Sequence, residues 1–531
     1  MREYSFEIDA ALTNGLRRDP RVPPNSAFMA YMKNAKPTEF KAVSPEPVAY
    51  PIEDDLPLEL AWPFPQLFRG KSVTLLCFQD TIYEVDESDW TVTEINTKDY
   101  YSPSEDKAIT EGGGPWHFMD FWGEWMLFNG VCQLVHSLAN DTTYVQDTVT
   151  IKTGCDFFEG RAIFAGFDPD DFYSSDWQSF LTGYLNDIPA EVQSLIDVSA
   201  GADANWVWWS TIGGGDMHWL FSKDFMIYGC ASLSDQFGYG PEKPYVLELW
   251  KRNEAGLRPM PWRGEILCVK PLGKTVIVYG KNGVTALIPQ GKFMGSMDIA
   301  GLGKDIGIES RCAVAGDYTG HMFIDRSGEL WTIEPNLQAT RLGYSEYLSP
   351  MLSNEIMGSF DPVERDYWFT DGEKCYVYSR TGLGGPMDTM PTSVARSEDG
   401  DLIGPAILPT IDDGEADPPT VASEMELRTC HFDLNERGTK HVTTVQITSF
   451  GLTQMKTRIH YKYSGDTYKA STYTPLNPNG VGFPVTSFVD GKVSVKGKVG
   501  TGQGGIQRIE VRYNGEDKRF VRGTKGIPKE A

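Results

Sequence analysis

Between roughly residues 70 and 380 the chain repeats one pattern: a short apolar run, a turn of Asp, Asn, Gly or Ser, and a second apolar run. The clearest copies read SVTLLCF-QD-TIYEV at 72–85, EWMLF-NG-VCQLV at 124–135 and TVIVY-GKNG-VTALI at 275–288. GHMFI-DRSG-ELWTI at 320–333 and RDYWF-TDG-EKCYVY at 365–378 continue it, with looser copies at 155–167 and 206–221. Turn-forming residues between β-rich runs are the strongest short-range hairpin signal. Clear copies recur about every 45–50 residues at their tightest, which is the size of a propeller blade. Radial repetition shields the strand edges of such units. A linear β-solenoid would need shorter, stricter repeats, and a sandwich would not need so many similar hairpins in a row. The predicted fold is therefore all-β, with a propeller of six or seven blades over 67–380.

Two insertions interrupt the pattern. In 168–204, Trp177, Phe180, Leu181, Tyr184, Leu185 and Ile188 fall at helical spacing, with Ser174 or Ser175 as a cap and Pro189 opening a second short helix. The second insertion, 232–263, is Gly- and Pro-rich and reads as a long loop. Residues 1–66 hold ten prolines, each fixing φ and removing a donor, so an extended N-terminal arm is expected. Residues 381–422, dominated by Gly, Pro and Asp, read as a linker. From 423 to 531 the pattern changes to strict alternation, as in HVTTVQITSF, KTRIHYKYS, KVSVKGKV and QRIEVRYN, which predicts a C-terminal β-sandwich or barrel-like domain.

Charge divides along the same line. Residues 421–531 carry 17 Lys/Arg against 10 Asp/Glu, or +7, which leaves −32 of the total −25 on residues 1–420. An acidic body repels nucleic acid, so sequence-reading DNA binding is not expected, whereas an acidic channel would let DNA slide past. Gly15-Leu16-Arg17-Arg18-Asp19-Pro20-Arg21 is a basic knot inside the acidic part. It is either a solvated turn or a docking arm, with Arg17, Arg18 and Arg21 meeting an acidic neighbour. No apolar run approaches the ~20 residues needed to span a bilayer, and the start MREYSFEIDAALTNGLRRDP lacks a signal-peptide pattern.

No specific catalytic, cofactor or metal constellation stands out. GxSxG, HExxH, Walker and dinucleotide-binding glycine motifs are all missing from the sequence. The seven histidines have no pair at i+2 or i+4. The eight cysteines form no CxxC and mostly sit in strand-like text, as buried reduced thiols of a protein made in the cytoplasm would. Asp168-Pro169-Asp170-Asp171 and Asp412-Asp413-Gly414-Glu415 lack the ordered spacing of a calcium loop. Asp325-Arg326-Ser327-Gly328-Glu329-Leu330-Trp331 comes near the Asp/Gly/Trp turn of sialidase-type propellers, but has one residue too many between Asp and Gly and occurs once. Trp206-Val207-Trp208-Trp209 suits a buried blade centre or, alternatively, an aromatic interface anchor or sugar platform. The expectation is a non-enzyme without cofactor.

Two stretches carry a resemblance. GIESRCAVAGDYTGHMFIDRSGELWTI (307–333) and NEIMGSFDPVERDYWFTDGEKCYVYS (354–379) resemble consecutive blades of the propeller-containing tail nozzle, tail tubular or tail-stabilisation proteins of short-tailed bacteriophages. The opening GLRRDPRVPPNSAFMAYMKNAKPTEFKAVSPEPVAYPI (15–52) is similar to their extended N-terminal arms. The resemblance implies a structural virion protein assembled in the host cytoplasm. It implies a homo-oligomeric ring, usually a hexamer, in the phage tail below the portal and adaptor. Such a ring closes the DNA channel until DNA ejection and attaches fibres or a needle. The family has no catalytic residues to carry over. A receptor- or glycan-binding tail protein, or a glycan-degrading propeller enzyme, stands as the alternative.

Overall fold

The structure is a computed structural model that describes residues 3–48, 62–167, 205–209, 256–407 and 424–515, apart from short stretches inside those spans. The helices expected in 168–204, and the loop expected in 232–263 up to residue 255, lie outside the described residues. The chain divides into two compact units.

The first unit, Ala49–Pro362 with Thr392–Pro405, is built from small meanders. Five sheets follow one another, each with four strands hydrogen-bonded in chain order. They begin at Gln66–Arg69, His117–Phe121, Thr153–Phe157, Ile266–Leu272 and Val314–Asp317. The second gains a fifth strand, Thr97–Asp99, which runs parallel to Thr142–Gln146. Strand Met357–Asp361 follows them.

The second strand of a sheet is the most apolar, and all of its residues are buried in Thr74–Cys77, Glu124–Phe128, Thr275–Gly280 and Gly320–Ile324. Neighbouring sheets cover both of its faces, so a continuous apolar run replaces alternation. Outer strands such as Val92–Glu94 and Ala339–Gly343 are mostly exposed or half-buried. The cores lie between adjacent sheets: Leu75, Trp116, Trp125 and Leu134 share one, and Tyr279, Val314 and Phe323 share another. Full burial of a side chain of this size contributes about 1.5–3 kcal/mol.

Side-chain oxygens hold the turns that the sequence marks. Asn129 Oδ1 accepts from the N–H of Val131 and Cys132 at 2.9 and 2.8 Å. Asp317 Oδ1 accepts from Thr319 at 2.8 Å, and Asp325 Oδ1 accepts from Ser327 and Glu329 at 2.8 and 2.9 Å. A short polar side chain bonding the backbone two residues on is the reason Asx residues start turns.

The first strands of successive sheets lie side by side, from His117–Phe121 through Thr153–Phe157, Ile266–Leu272 and Val314–Asp317 to Met357–Asp361. A two-stranded hairpin, Ala395–Arg396 with Leu402–Ile403, fits between Met357–Asp361 and Gln66–Arg69. Gln66–Arg69 in turn meets the second sheet: Phe68 stacks on Phe118 at 5.6 Å, and Trp116 N–H donates to Gln66 Oε1 at 2.6 Å. The unit is thus a closed β-propeller with seven positions, one of them filled by the short hairpin.

The second unit joins Met1–Val48, Val363–Pro391 and Ala406–Ala531. Its main part is two antiparallel sheets, a sandwich without barrel closure. One sheet is centred on Lys440–Phe450 and Gly505–Gly515, the other on Glu424–Thr429, Asp490–Val499 and Leu452–Lys462. The described part of the N-terminal segment lies along the sandwich: Glu3–Glu7 and Ala42–Val43 pair with Gly505–Gly515, and Met29–Lys33 pairs with Glu424–Thr429. Both sheets would otherwise present open edges, and the N-terminal strands cover them. Gly15, at φ +70°, lies so close to Leu383 that a Cβ would stand 2.6 Å from its carbonyl oxygen.

Residues 381–407, read from composition as linker, are not featureless. Leu383–Gly384 extends the pair Asp366–Thr370 and Cys375–Tyr378, Met390–Pro391 pairs with Ala406–Ile407, and 395–403 supplies the hairpin of the other unit. Strands two residues long have no periodicity to show in a sequence.

Candidate functional site

The residues singled out from sequence do not converge. Arg17 is half-buried, and its backbone N–H bonds the carbonyl of Met29 at 3.0 Å. Arg18 is exposed, and Arg21 turns back on Asp19, with Nε 3.7 Å from Oδ1. Trp209 is buried among Cys155, Ile163 and Val207 between the third and fourth sheets, as a blade centre would be. Asp325 Oδ2 accepts from Trp331 Nε1 at 2.8 Å, so the sialidase-like turn is closed on itself, and Arg341 pairs with the adjacent Glu329. Among the described residues no three His, Cys, Asp or Glu stand close enough to hold a metal ion. The two acidic loops at 168–171 and 412–415 lie outside the described residues. Burial raises the Cys155, Cys312 and Cys375 thiols, and Cys268 to about 11, which keeps them protonated and unreactive.

In the propeller unit Arg311, just before the strand Val314–Asp317, is a charge held by several bonds at once. Its guanidinium donates to the carbonyls of Asn129 at 2.5 Å, Phe128 at 3.3 Å and Lys152, while its own N–H donates to Glu355 Oε1 at 3.0 Å. One side chain therefore ties together residues from the second and third sheets. The acceptors of the guanidinium are all backbone oxygens of the fold itself, which makes this a structural clamp.

The second unit carries a surface of different character. In Glu424–Thr429, burial alternates residue by residue: Met425, Leu427 and Thr429 face inward, and Glu424, Glu426 and Arg428 outward. Asp490–Val499 and Leu452–Lys462 repeat the alternation, with Lys492, Lys496 and Lys498, and Arg458, His460 and Lys462, facing outward. Register then sets these side chains in rows. Arg428 stands opposite Tyr31 on one neighbouring strand and Ser494 on the other, and Ser494 opposite Arg458.

Three tyrosine rings on this face sit under cations. Arg428 lies 5.3 Å from the Tyr31 ring, Arg458 and Lys496 lie 4.3 and 4.9 Å from Tyr473, and Lys492 and Lys462 lie 4.3 and 5.1 Å from Tyr468. The tyrosine hydroxyls reach carboxylates, Tyr473 to Glu426 at 3.0 Å and Tyr468 to Asp490 at 2.6 Å. Burial and then the Glu426 charge push the Tyr473 hydroxyl up to about 12. Burial, followed by Arg428, Arg458 and Lys492, lowers His460 to about 4, so it stays neutral at ordinary pH. Glu426 serves both Arg428 and Arg458, at 3.5 and 3.7 Å. Among the described residues no carboxylate comes within ion-pair distance of Lys492; burial, then the cations Arg17 and Arg428, hold it below the usual lysine range.

The result is a flat, ordered lattice with more cations than carboxylates. The sequence shows the excess of Lys and Arg in this alternating segment, but not the tyrosines at 468 and 473 that order them.

No protein-family model matches the chain, and no curated protein matches its sequence. Solved structures similar to it include the Pan2 WD40 domain of Neurospora crassa, with TM-score 0.33, 7% identity, and coverage of 65% of this chain and 87% of that one. Another is the extracellular domain of a putative one-component system from B. thetaiotaomicron, with TM-score 0.35, 10% identity, and coverage of 93% and 63%. A third is PorZ, a surface component of the type-IX secretion system of Porphyromonas gingivalis, with TM-score 0.30, 8% identity, and coverage of 71% and 42%.

Proposed function

We propose that this chain is a structural subunit of a short-tailed phage tail, part of a nozzle or head-to-tail adaptor ring below the portal. In that role copies of the chain form a homo-oligomeric ring, a hexamer by resemblance. The ring borders the DNA channel without reading sequence and holds fibres or a needle. The observation that carries the reading is the division of charge within one chain: −32 on residues 1–420 and +7 on 421–531, the latter including an ordered basic face. A molecule with one acidic and one basic surface favours head-to-tail contact, and such contact closes into a ring when its rotation permits. The propeller's clamps and closed ring of strands supply the rigidity an assembly scaffold needs. The phage setting itself rests on the resemblance of 307–333 and 354–379 to tail-protein blades.

The alternative of a glycan-binding tail protein needs bare aromatic platforms. On the basic face Tyr31, Tyr468 and Tyr473 are covered by cations, so a sugar platform would have to use bare rings elsewhere in this unit, such as Tyr463 and Phe483.

Two measurements test the proposal. Mass spectrometry of purified particles is expected to find the chain in several copies per virion, and its absence from particles would sink the reading. Reversing Arg17, Arg18 and Arg21 together is expected to weaken ring assembly while leaving the circular dichroism spectrum unchanged. Unaltered assembly would remove those arginines from the contact.

A further inference from the structure

The basic face of the C-terminal sheet is a surface in want of an opposite charge. Eight cations stand on it, namely Lys33, Arg428, Lys456, Arg458, Lys462, Lys492, Lys496 and Lys498, against four carboxylates, Asp388, Glu424, Glu426 and Asp490. His460 adds no charge at ordinary pH, and Lys492 has no ion-pair partner among the described residues. The rings of Tyr468 and Tyr473 fix the cations in place, so docking loses little side-chain entropy.

An isologous contact would set one excess of cations against another, which disfavours packing of this face on its own copy. A heterologous contact needs an acidic patch elsewhere, and the first propeller sheet provides one. From Ser72 to Thr97 the chain has no Lys or Arg, and Asp80, Glu84, Asp86, Asp89 and Glu94 are all exposed on its outer strands and turns. Register puts Glu94 opposite Tyr83 and Glu84 opposite Thr93, so the two carboxylates flank the outer edge of this sheet on its two faces, with Asp80, Asp86 and Asp89 in the turns beside them.

We propose that the basic face docks on the acidic rim of the first propeller sheet of a second copy of this chain, centred on Lys492, Lys496 and Arg458. The ring reading sets only how many copies join; the contact itself follows from the two charged surfaces.

The test mixes unlabelled and ¹⁵N-labelled full-length chains and joins amines to carboxylates with a zero-length carbodiimide. Peptides that link Lys492, Lys496 or Lys498 of one isotope to Asp80, Glu84, Asp86, Asp89 or Glu94 of the other are expected. Light scattering should show association at least about tenfold weaker for Lys492→Glu with Arg458→Glu, and weaker still as ionic strength rises. Restoration by Asp86→Lys with Asp89→Lys in the reversed chain would establish the pairing. Should the double reversal fail to fold, Lys492→Gln with the same cross-linking readout takes its place. Cross-links confined to other surfaces, association untouched by the reversals, or a wild-type chain that stays monomeric at every concentration would each overturn the inference. The tail reading fails separately, on absence from particles, and survives if association proceeds through another surface.

Discussion

Arg396 grips Asp361 through two N–H groups of one guanidinium, Nε donating to Oδ1 at 2.8 Å and Nη2 to Oδ2, and the side chains are only 10% and 1% exposed. The pair joins the short hairpin at 395–403 to strand Met357–Asp361. Bidentate geometry of this kind fixes orientation as well as distance. The ion pair secures one side of the closing hairpin, while on its other side Ile403 and Ala395 pack with Leu67, Leu76 and Val85 of the first sheet.

Removing Arg396 leaves the Asp361 carboxylate buried without its countercharge. Arg396→Ala is expected to cost roughly 3–5 kcal/mol, and Arg396→Lys, which loses the fork, somewhat less. Urea unfolding followed by tryptophan emission checks both. An Arg396→Ala midpoint equal to wild type would show that the hairpin does not hold the ring.

His321 lies between two partners, Tyr279 Oη at 2.9 Å from Nδ1 and the Pro271 carbonyl at 2.9 Å from Nε2. Burial, then Lys270, lowers it to about 3. The unfolded chain, with histidine near 6.5, therefore takes up a proton before the folded one does. Stability from this site is complete above about pH 6.5 and is lost as pH falls toward 3. Burial raises the Asp156 and Glu355 carboxyls, which act with the opposite sign, so the comparison of variants matters. His321→Gln should flatten the fall in melting temperature between about pH 6.5 and 4, and an unchanged slope would contradict the assignment. Tyr279→Phe, which strips one hydrogen bond from a buried ring nitrogen, is expected to cost about 1–3 kcal/mol.

Trp262 closes over the turn between Thr275–Gly280 and Gly283–Gln290, where its Nε1 donates to Thr285 Oγ1 at 2.8 Å. A Cβ on Gly283 would stand 2.1 Å from the indole Cδ1. Gly283→Ala must displace the ring and is expected to destabilise by about 1–3 kcal/mol, with a red-shifted emission from the exposed indole. Unshifted emission together with full stability would mean that the ring does not pack on that turn.

Deleting residues 1–8 strips strand Glu3–Glu7 and the Glu7–Arg508 ion pair from Gly505–Gly515. The bared edge should pair with other chains, so faster aggregation under native conditions is expected. Turbidity at matched concentration reads this directly, and a truncated chain as soluble as the full one would count against an edge-covering role.

Some of this was legible in the chain. Asn129, Asp317 and Asp325 mark turns because their side chains bond the backbone two residues on, a local event that any neighbourhood permits. The alternation through Glu424–Thr429 and Asp490–Val499 likewise separates an inner from an outer face without outside help. The basic face was half visible: its lysines stand at outward positions, but Tyr31 comes from a strand some 400 residues away along the chain, and only pairing sets it beside Arg428. The strands of the N-terminal segment were hidden among prolines and, at Lys36–Pro37 and Ala42–Val43, are two residues long.

The sequence by itself determined the hairpins, the all-β class and the division of charge, because turn chemistry, period and composition act over a few residues. Tertiary structure alone decided that residues 395–403 close the propeller, that Glu3–Glu7, Met29–Lys33 and Ala42–Val43 complete the C-terminal sheets, and that cations and tyrosines meet in one lattice. Those outcomes depend on which strand edge is left open and which register fills it, quantities that exist only once distant segments have paired.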